Sequence, residues 1–436
     1  MQFPLIPLKQ PQFYLCRTDI AKATMATGIT SLFSYFFNKW MVAYCCKCDN
    51  EFFVALFALS LFCTIFVLGK NNRLVGFCDF DKNNLQMQRI DEFYMRRCLQ
   101  LARCAAGSTS PNPQVGAVIV CDGRIIGEGY HIRAGEPHAE VNAVRSVAPT
   151  DRHLLSQSTI YVTLEPCSHY GKTPPCCDLI IKEGIRRVVI GTTDNNECVN
   201  GAGIARMKKA GIEVVVGVLE NECYAINRPF FTYNRLARPA VTLKWAQTAD
   251  GFIDVGREGG APLHISTPVS QVAVHKLRSR HDAILVGTRT ALLDNPSLNL
   301  RHWAGRAPLR LVIDRAGVLP AGLNLFDGSL PTVVYTQNAV VGKFGKNVEQ
   351  VVLDFSTDVL SQILAHLHSL KVQSLLVEGG ARLLQSFIDA SLWDKARVEV
   401  NNSLLVGSGI MAPVLPESAL VGTEKCDGND ILLFAR

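Results

Sequence analysis

The chain of 436 residues is 48% hydrophobic and 19% charged, with a net charge of +6 at pH 7. That length suits two or three domains with buried cores, and the composition excludes a disordered chain, a collagen and a coiled coil. The charge is too weak to argue for nucleic acid, and no long basic run is present.

Residues 1–86 stand apart from the rest. They hold six of the fifteen cysteines: Cys16, Cys45, Cys46, Cys48, Cys63 and Cys78. The run from Phe52 to Leu68 is apolar apart from Ser60 and Thr64. It sits at the lower limit of the ~17–25 residues that a spanning helix needs. It starts too far from Met1 for a signal peptide, and Lys70 and Arg73 behind it weakly place the C-terminal part of the chain in the cytosol. Two readings stay open. Residues 1–86 are an over-extended gene start or dispensable leader, with Met87 opening a soluble enzyme, or they are a membrane anchor.

From Met87 to Phe231 helices alternate with strands. The pattern predicts a helix over 92–106 and strands over 116–120 and 125–130, joined at Cys121-Asp122-Gly123, a strong hairpin signal. A helix over 138–147, a strand over 159–163, a loop to Pro175 and a helix from about Cys177 to Glu183 come next. A strand over 187–191, a helix near 203–210 and a strand over 213–218 complete an α/β layer fold.

Two segments here carry chemistry. One is Pro137-His138-Ala139-Glu140. The other runs from Glu165-Pro166-Cys167 to Cys176. One imidazole and two thiolates suit zinc, and three protein ligands leave a fourth position open, as in catalytic sites. Glu140, two residues from His138, can shuttle protons without ligating. His-x-Glu followed by Pro-Cys and a second Cys is the signature of zinc deaminases. His131, His153 and His169 are rivals for the imidazole ligand, and His138 is preferred because a Glu stands beside it. Cys177 is a rival to Cys176, and chemistry alone leaves the choice open.

The general deaminase pattern separates its cysteines by two residues, whereas here eight stand between Cys167 and Cys176. With that spacing, the runs Ser110 to Gly116 (SPNPQVG), His131 to Glu140 (HIRAGEPHAE) and Thr163 to Asp178 (TLEPCSHYGKTPPCCD) resemble the deaminase domain of the bifunctional riboflavin-biosynthesis deaminase/reductases. The resemblance covers essentially all of 87–230 and implies a cytidine-deaminase-like fold. It implies zinc ligation by His138, Cys167 and Cys176, proton transfer by Glu140 and a pyrimidine contact from Asn112. Lys172, in the extended loop, is a candidate phosphate contact.

Residues 232–239 (TYNRLARP) are polar and suit a short connector. Beyond it, strands are predicted over 240–245, 283–287, 309–314, 332–336 and 374–378, with a helix over 270–280. Short apolar runs followed by helices indicate a mostly parallel sheet. Val377-Glu378-Gly379-Gly380-Ala381 is a strand end opening onto a Gly-rich helix start, an arrangement that accepts phosphate, although it is not the Gly-x-Gly-x-x-Gly fingerprint.

The runs Lys244 to Gly251 (KWAQTADG), His281 to Pro296 (HDAILVGTRTALLDNP), Leu311 to Asp314 and Val377 to Gly380 resemble the reductase domain of the same family. A dihydrofolate-reductase-like domain over 239–436 that uses NADPH is thereby implied. By this resemblance Ala246, Thr290, Asp294 and Gly380 lie against NADPH. Ser266, Arg278, Leu298, Arg301 and Glu378 line the substrate site, where the two arginines suit a ribose phosphate. His264 and Pro262 depart from the usual Trp and polar residue of the family, which bears on nicotinamide packing.

The resemblance implies deamination of 2,5-diamino-6-ribosylamino-4(3H)-pyrimidinone 5′-phosphate, then NADPH-dependent reduction of the ribosyl group to ribityl. The partners expected are a small phosphorylated pyrimidine and no nucleic acid. A homo-oligomer and a membrane contact through 52–68 are left open. A cytoplasmic location is expected. The alternatives are a nucleic-acid base deaminase, which would have no need of a second domain, and a membrane-tethered binding protein, against which the intact His138, Glu140, Cys167 and Cys176 speak.

Overall fold

A computed structural model describes residues 54–59, 62–68, 74–170, 174–194, 201–257 and 261–436. Val54–Leu59, Phe62–Leu68 and Leu74–Gly76 form a three-stranded antiparallel sheet, with Val54 opposite Val67 and Phe66 opposite Gly76. Where it is described, the apolar run expected as a candidate membrane helix is therefore two strands. Its Val, Phe, Ile and Thr content favours a pleated conformation. Among the described residues no helix is long and apolar enough to cross a membrane.

Helix α1 (Phe77–Cys104) starts well before the predicted residue 92. After it come β1 (Gly116–Cys121) and β2 (Arg124–Tyr130), the predicted hairpin. Its turn places both Asp122 and Gly123 at positive φ, as a two-residue turn of this kind demands. Helix α2 (Ala139–Ser146), β3 (Thr159–Leu164), α3 (Cys176–Lys182), β4 (Arg187–Thr192), α4 (Ala202–Lys209) and β5 (Glu213–Val216) follow. The sheet order is β2-β1-β3-β4-β5, antiparallel through β3 and parallel from β3 to β5. One face packs α2 and α3 over Ala117, Ile119, Ile160, Val162, Val188 and Ile190. The other packs α1 over Val118, Val120, Tyr161 and Val189. Buried on both faces, these strands read as continuous apolar runs.

The connector differs from its prediction. Helix α6 (Arg228–Leu236), which follows α5 (Glu220–Ile226), runs through residues 232–236 of it. Pro229 near the N-terminus of α6 is a favoured helix opener, and Phe231 and Thr232 are buried. A tertiary surface, rather than the polar composition of 232–236, decides the conformation there.

The second sheet has nine strands among the described residues. They are β6 (Ala240–Thr248), β7 (Ala283–Val286), β8 (Leu309–Ile313), β9 (Thr332–Thr336), β10 (Val348–Val352), β11 (Ser374–Val377), β12 (Lys395–Asn401), β13 (Leu420–Cys426) and β14 (Asn429–Ala435). The order is β10-β9-β8-β7-β11-β6-β12-β14-β13. The pairs from β10 to β12 are parallel, and only β14 and β13 close the edge antiparallel. The predicted strands at 240, 283, 309, 332 and 374 are all present, and α7 (Pro268–Arg278) occupies most of the predicted 270–280 helix. Strands β7 and β11 lie side by side and each feeds a helix, α8 (Thr288–Asp294) and α10 (Ala381–Asp389), with α9 (Val359–Ser369) between them in sequence. Two helix N-termini thus open at the carboxyl edge of one parallel sheet, the usual place for a ligand in such a layer.

Candidate active sites

His138 is the N-cap of α2, with extended backbone at φ −68° and ψ 166°. Glu140 lies in the first turn of the same helix and is buried. Helix α2 reaches this position by lying directly on the backbone of β2. A Cβ on Gly129 would stand 2.3 Å from Ala143 N and 2.6 Å from Ala139 O. Cys167 follows β3, and Cys176 opens α3 behind Pro175.

These elements bring His138 Nδ1, Cys167 Sγ and Cys176 Sγ within 4.8 Å of one another. Nδ1 is 3.6 Å from Cys167 Sγ and 3.3 Å from Cys176 Sγ. A tetrahedral zinc with ordinary Zn–S and Zn–N bonds has S···N edges of roughly 3.6 Å, so the donor set fits that ion. The backbone N–H of Cys176, at the start of α3, donates to Cys167 Sγ at 3.2 Å. The Cys176 thiol, His138 and that backbone bond together hold the Cys167 thiol far below its ordinary range, against the cost of burial. Burial pushes the Glu140 carboxyl up to about 7, and the neighbouring Cys167 adds to the rise.

Among the described residues, none of the rivals joins this donor group. His153 and His169 are exposed. Cys177 is buried in the core under α2, where burial pushes its thiol up to about 11. His131 is buried, and its Nδ1–H donates to Pro137 O at 3.1 Å, because a carbonyl can only accept. Its Nε2 therefore accepts from Asn112 Nδ2 at 3.1 Å. Glu165 accepts backbone N–H groups from Gly201, Gly203 and Ile204 at the start of α4 and so fixes the turn leading to Cys167. Lys172 lies outside the described residues.

In the second sheet Gly379 and Gly380 lead into α10, with Gly380 at φ +76°. A Cβ on Gly379 would stand 3.0 Å from Thr290 Cγ2, so Thr290 of α8 and this turn are brought together. The bare backbone at the N-terminus of α10 suits a phosphate-bearing cofactor. Ala246 lies on β6, and Asp294 at the end of α8 is paired with Arg257. Arg278 grips Glu378 through Nε at 2.9 Å and Nη2 at 2.6 Å. Ser266 donates to the buried Glu399 at 2.8 Å, and Asn429 donates to its other oxygen at 2.8 Å. Leu298, at φ +47°, buries its side chain in the core. Arg301 donates to Asn299 Oδ1 at 3.1 Å on the surface.

Lys244 and Glu399 escaped the sequence reading. Burial lowers the Lys244 ammonium below its ordinary value, and its charge acts on both Glu378 and Glu399. Burial alone would raise the Glu399 carboxyl, but hydrogen bonds from Ser270, Asn429 and Ser266 hold it below its ordinary value. The signal available in the sequence was charge within two strand-like runs, Lys244 in VTLKWA and Arg397 with Glu399 in ARVEV.

Residues 88–192 match the family model of the cytidine and deoxycytidylate deaminase zinc-binding region, and residues 239–424 match that of the RibD C-terminal domain. The riboflavin biosynthesis protein RibD of Aquifex aeolicus is 38% identical over 359 residues, which cover 80% of this chain and 99% of that protein. The protein of the same name from Bacillus amyloliquefaciens is 38% identical over 75% of this chain and 88% of its own length. The crystal structure of a diaminohydroxyphosphoribosylaminopyrimidine deaminase/5-amino-6-(5-phosphoribosylamino)uracil reductase from Thermotoga maritima superposes with a TM-score of 0.73. It is 37% identical, over 80% of this chain and 99% of that one. With both catalytic domains present in order, the chain belongs to the RibD family of bifunctional deaminase/reductases of riboflavin biosynthesis.

Proposed function

We propose that residues 87–231 deaminate 2,5-diamino-6-ribosylamino-4(3H)-pyrimidinone 5′-phosphate. Residues 239–436 then reduce the ribosyl group of the product, giving 5-amino-6-(5-phospho-D-ribitylamino)uracil. The observation that carries this reading is the convergence of His138, Cys167 and Cys176 with the buried Glu140 on the same helix as His138. The three donors hold zinc, which when bound supplies a water acidic enough to serve as nucleophile at neutral pH. Glu140 takes a proton from the attacking water and delivers it to the departing amino group, which leaves as ammonia. Asn112, held by His131, orients the pyrimidine.

In the second domain Ala246, Thr290, Asp294 and Gly380 bind NADPH, which supplies the hydride. Ser266 and Glu378 face the sugar, Leu298 contributes backbone, and the exposed Arg301 takes the phosphate. Arg278 is engaged by Glu378 and positions that carboxylate. Both reactants are small phosphorylated pyrimidines that need no membrane, which supports a cytoplasmic location.

The test is a single variant assayed twice. Unaltered protein holds about one zinc per chain. Cys167→Ser loses zinc and ammonia release but still oxidises NADPH on pre-deaminated substrate. Full zinc and a full deamination rate in that variant would overturn the ligand assignment.

A further inference from the structure

The Ser110–Gln114 segment of the deaminase, which carries Asn112, is held from two sides. At one end Gln114 N–H donates to Asn227 Oδ1 at 2.7 Å, and Asn227 Nδ2 donates back to Gln114 O at 2.9 Å. Asn227 belongs to the deaminase half and is buried. At the other end the support comes from the reductase. Gln373 Nε2 donates to Pro111 O at 2.7 Å, across 262 residues of sequence. Asn112 lies between these two anchors, and its side chain reaches His131, whose ring packs edge-on against His138 at 5.6 Å.

Gln373 is itself tightly placed. Its side chain is buried, and its backbone N–H and that of Ser374 both donate to Asp282 Oδ2 at 3.1 Å. The Ser374 hydroxyl donates to the same oxygen at 2.9 Å, and Ala240 N–H donates to Gln373 O at 2.8 Å. A second close approach lies on the same seam. Gly107 has φ +86°, and a Cβ there would stand 2.1 Å from Ser279 O of the reductase. The donor that meets Pro111 is thus fixed by the reductase sheet before substrate arrives, and pre-organisation of this kind lowers the cost of binding.

We propose that Gln373 of the reductase is a positioning residue for the deaminase reaction: it fixes the Pro111 carbonyl and so sets the reach of Asn112 toward the pyrimidine. Asn112 touches the substrate in the proposed function, and the inference rests on that part of it. One strand then serves both sites, because β11 starts next to Gln373 and ends next to Glu378.

The experiment uses full-length zinc-loaded protein. Gln373→Met keeps the side-chain length and removes the donor. The KM for deamination is expected to rise about tenfold, the scale of one lost hydrogen bond to a positioned group. The deamination kcat, the zinc content and reduction of pre-deaminated substrate should stay within about twofold, a split that general loss of packing would not produce. If the Met variant does not fold, Gln373→Asn, one methylene too short to span, gives the same readout. An unchanged KM overturns the proposal, and so does a parallel fall of both activities with a lower melting temperature. Asn112→Ala is run beside it. If that variant deaminates with normal KM, the substrate contact itself fails. If its KM rises while that of Gln373→Met does not, only the positioning role fails.

Discussion

Arg278 and Glu378 stand 100 residues apart in sequence and meet through two hydrogen bonds of 2.9 and 2.6 Å, with side chains only 13% and 6% exposed. Burial works against ionisation of Glu378, but Arg278, with Lys244, holds its carboxyl below the usual range. Two donor positions of the guanidinium are spent on that carboxylate, and Nη1 points to Asn299 O at 3.4 Å. Removing one member of such a pair leaves an uncompensated buried charge, which costs about 3–5 kcal/mol. Glu378→Gln should therefore lower the melting temperature and abolish NADPH-dependent reduction while ammonia release persists. Reduction at more than about a third of the original rate would remove Glu378 from the reductase site.

Helix α2 depends on the missing side chain at Gly129. A methyl there collides with backbone at Ala143 and Ala139, which cannot rotate away as a side-chain tip can. Overpacking of this kind costs typically ~1–3 kcal/mol, and here it displaces the helix that carries His138 and Glu140. Gly129→Ala is expected to bind zinc more weakly in competition with a chelator and to deaminate slowly. Normal zinc retention in that assay would show that α2 tolerates the shift.

Glu140 is buried and stands outside the His138, Cys167 and Cys176 donor set, and in the proposed function it moves protons. Glu140→Gln preserves shape and removes the exchangeable acid, so zinc content should be unchanged. The deamination rate should drop by ~10²–10⁴-fold, the usual contribution of a positioned acid/base. A fall of less than about threefold would exclude a proton-transfer role.

Two imidazoles of the reductase make stability depend on pH. Burial, with Arg278 adding to it, pushes His275 down to about 4, and its Nδ1 accepts the Arg301 N–H at 3.2 Å. His281 is also lowered by burial, between Leu277 O at 2.8 Å and Thr242 Oγ1 at 2.9 Å. In the unfolded chain both take up a proton near pH 6.5. For His275 the unfolded state binds more protons between about 6.5 and 4, and stability there falls as pH falls. Above about 6.5 both states are neutral and the contribution is complete. Thermal unfolding followed from about pH 7.5 to about 4.5 should show this slope, and His275→Asn, which keeps an acceptor for Arg301, should flatten it. Equal slopes for the two proteins would refute the assignment.

Local signals in the sequence determined a good part of this protein. The Asp122-Gly123 hairpin follows from turn chemistry alone, and the buried strands follow from short apolar runs. His138, Glu140, Cys167 and Cys176 lie in two short segments whose residue types point to a metal and a proton shuttle. Tertiary structure decided the rest. Cys176 and Cys177 are adjacent and chemically equal, and only the direction of α3 turns one thiol toward His138 and the other into the core. Residues 232–236 read as a polar connector, yet α6 buries Phe231 and Thr232 against a surface that the local sequence does not encode. The partners of Arg278 and Gln373 lie 100 and 262 residues away. Such contacts leave no periodicity or spacing to read, because they exist only once the two sheets have formed and brought distant chain segments within hydrogen-bond reach.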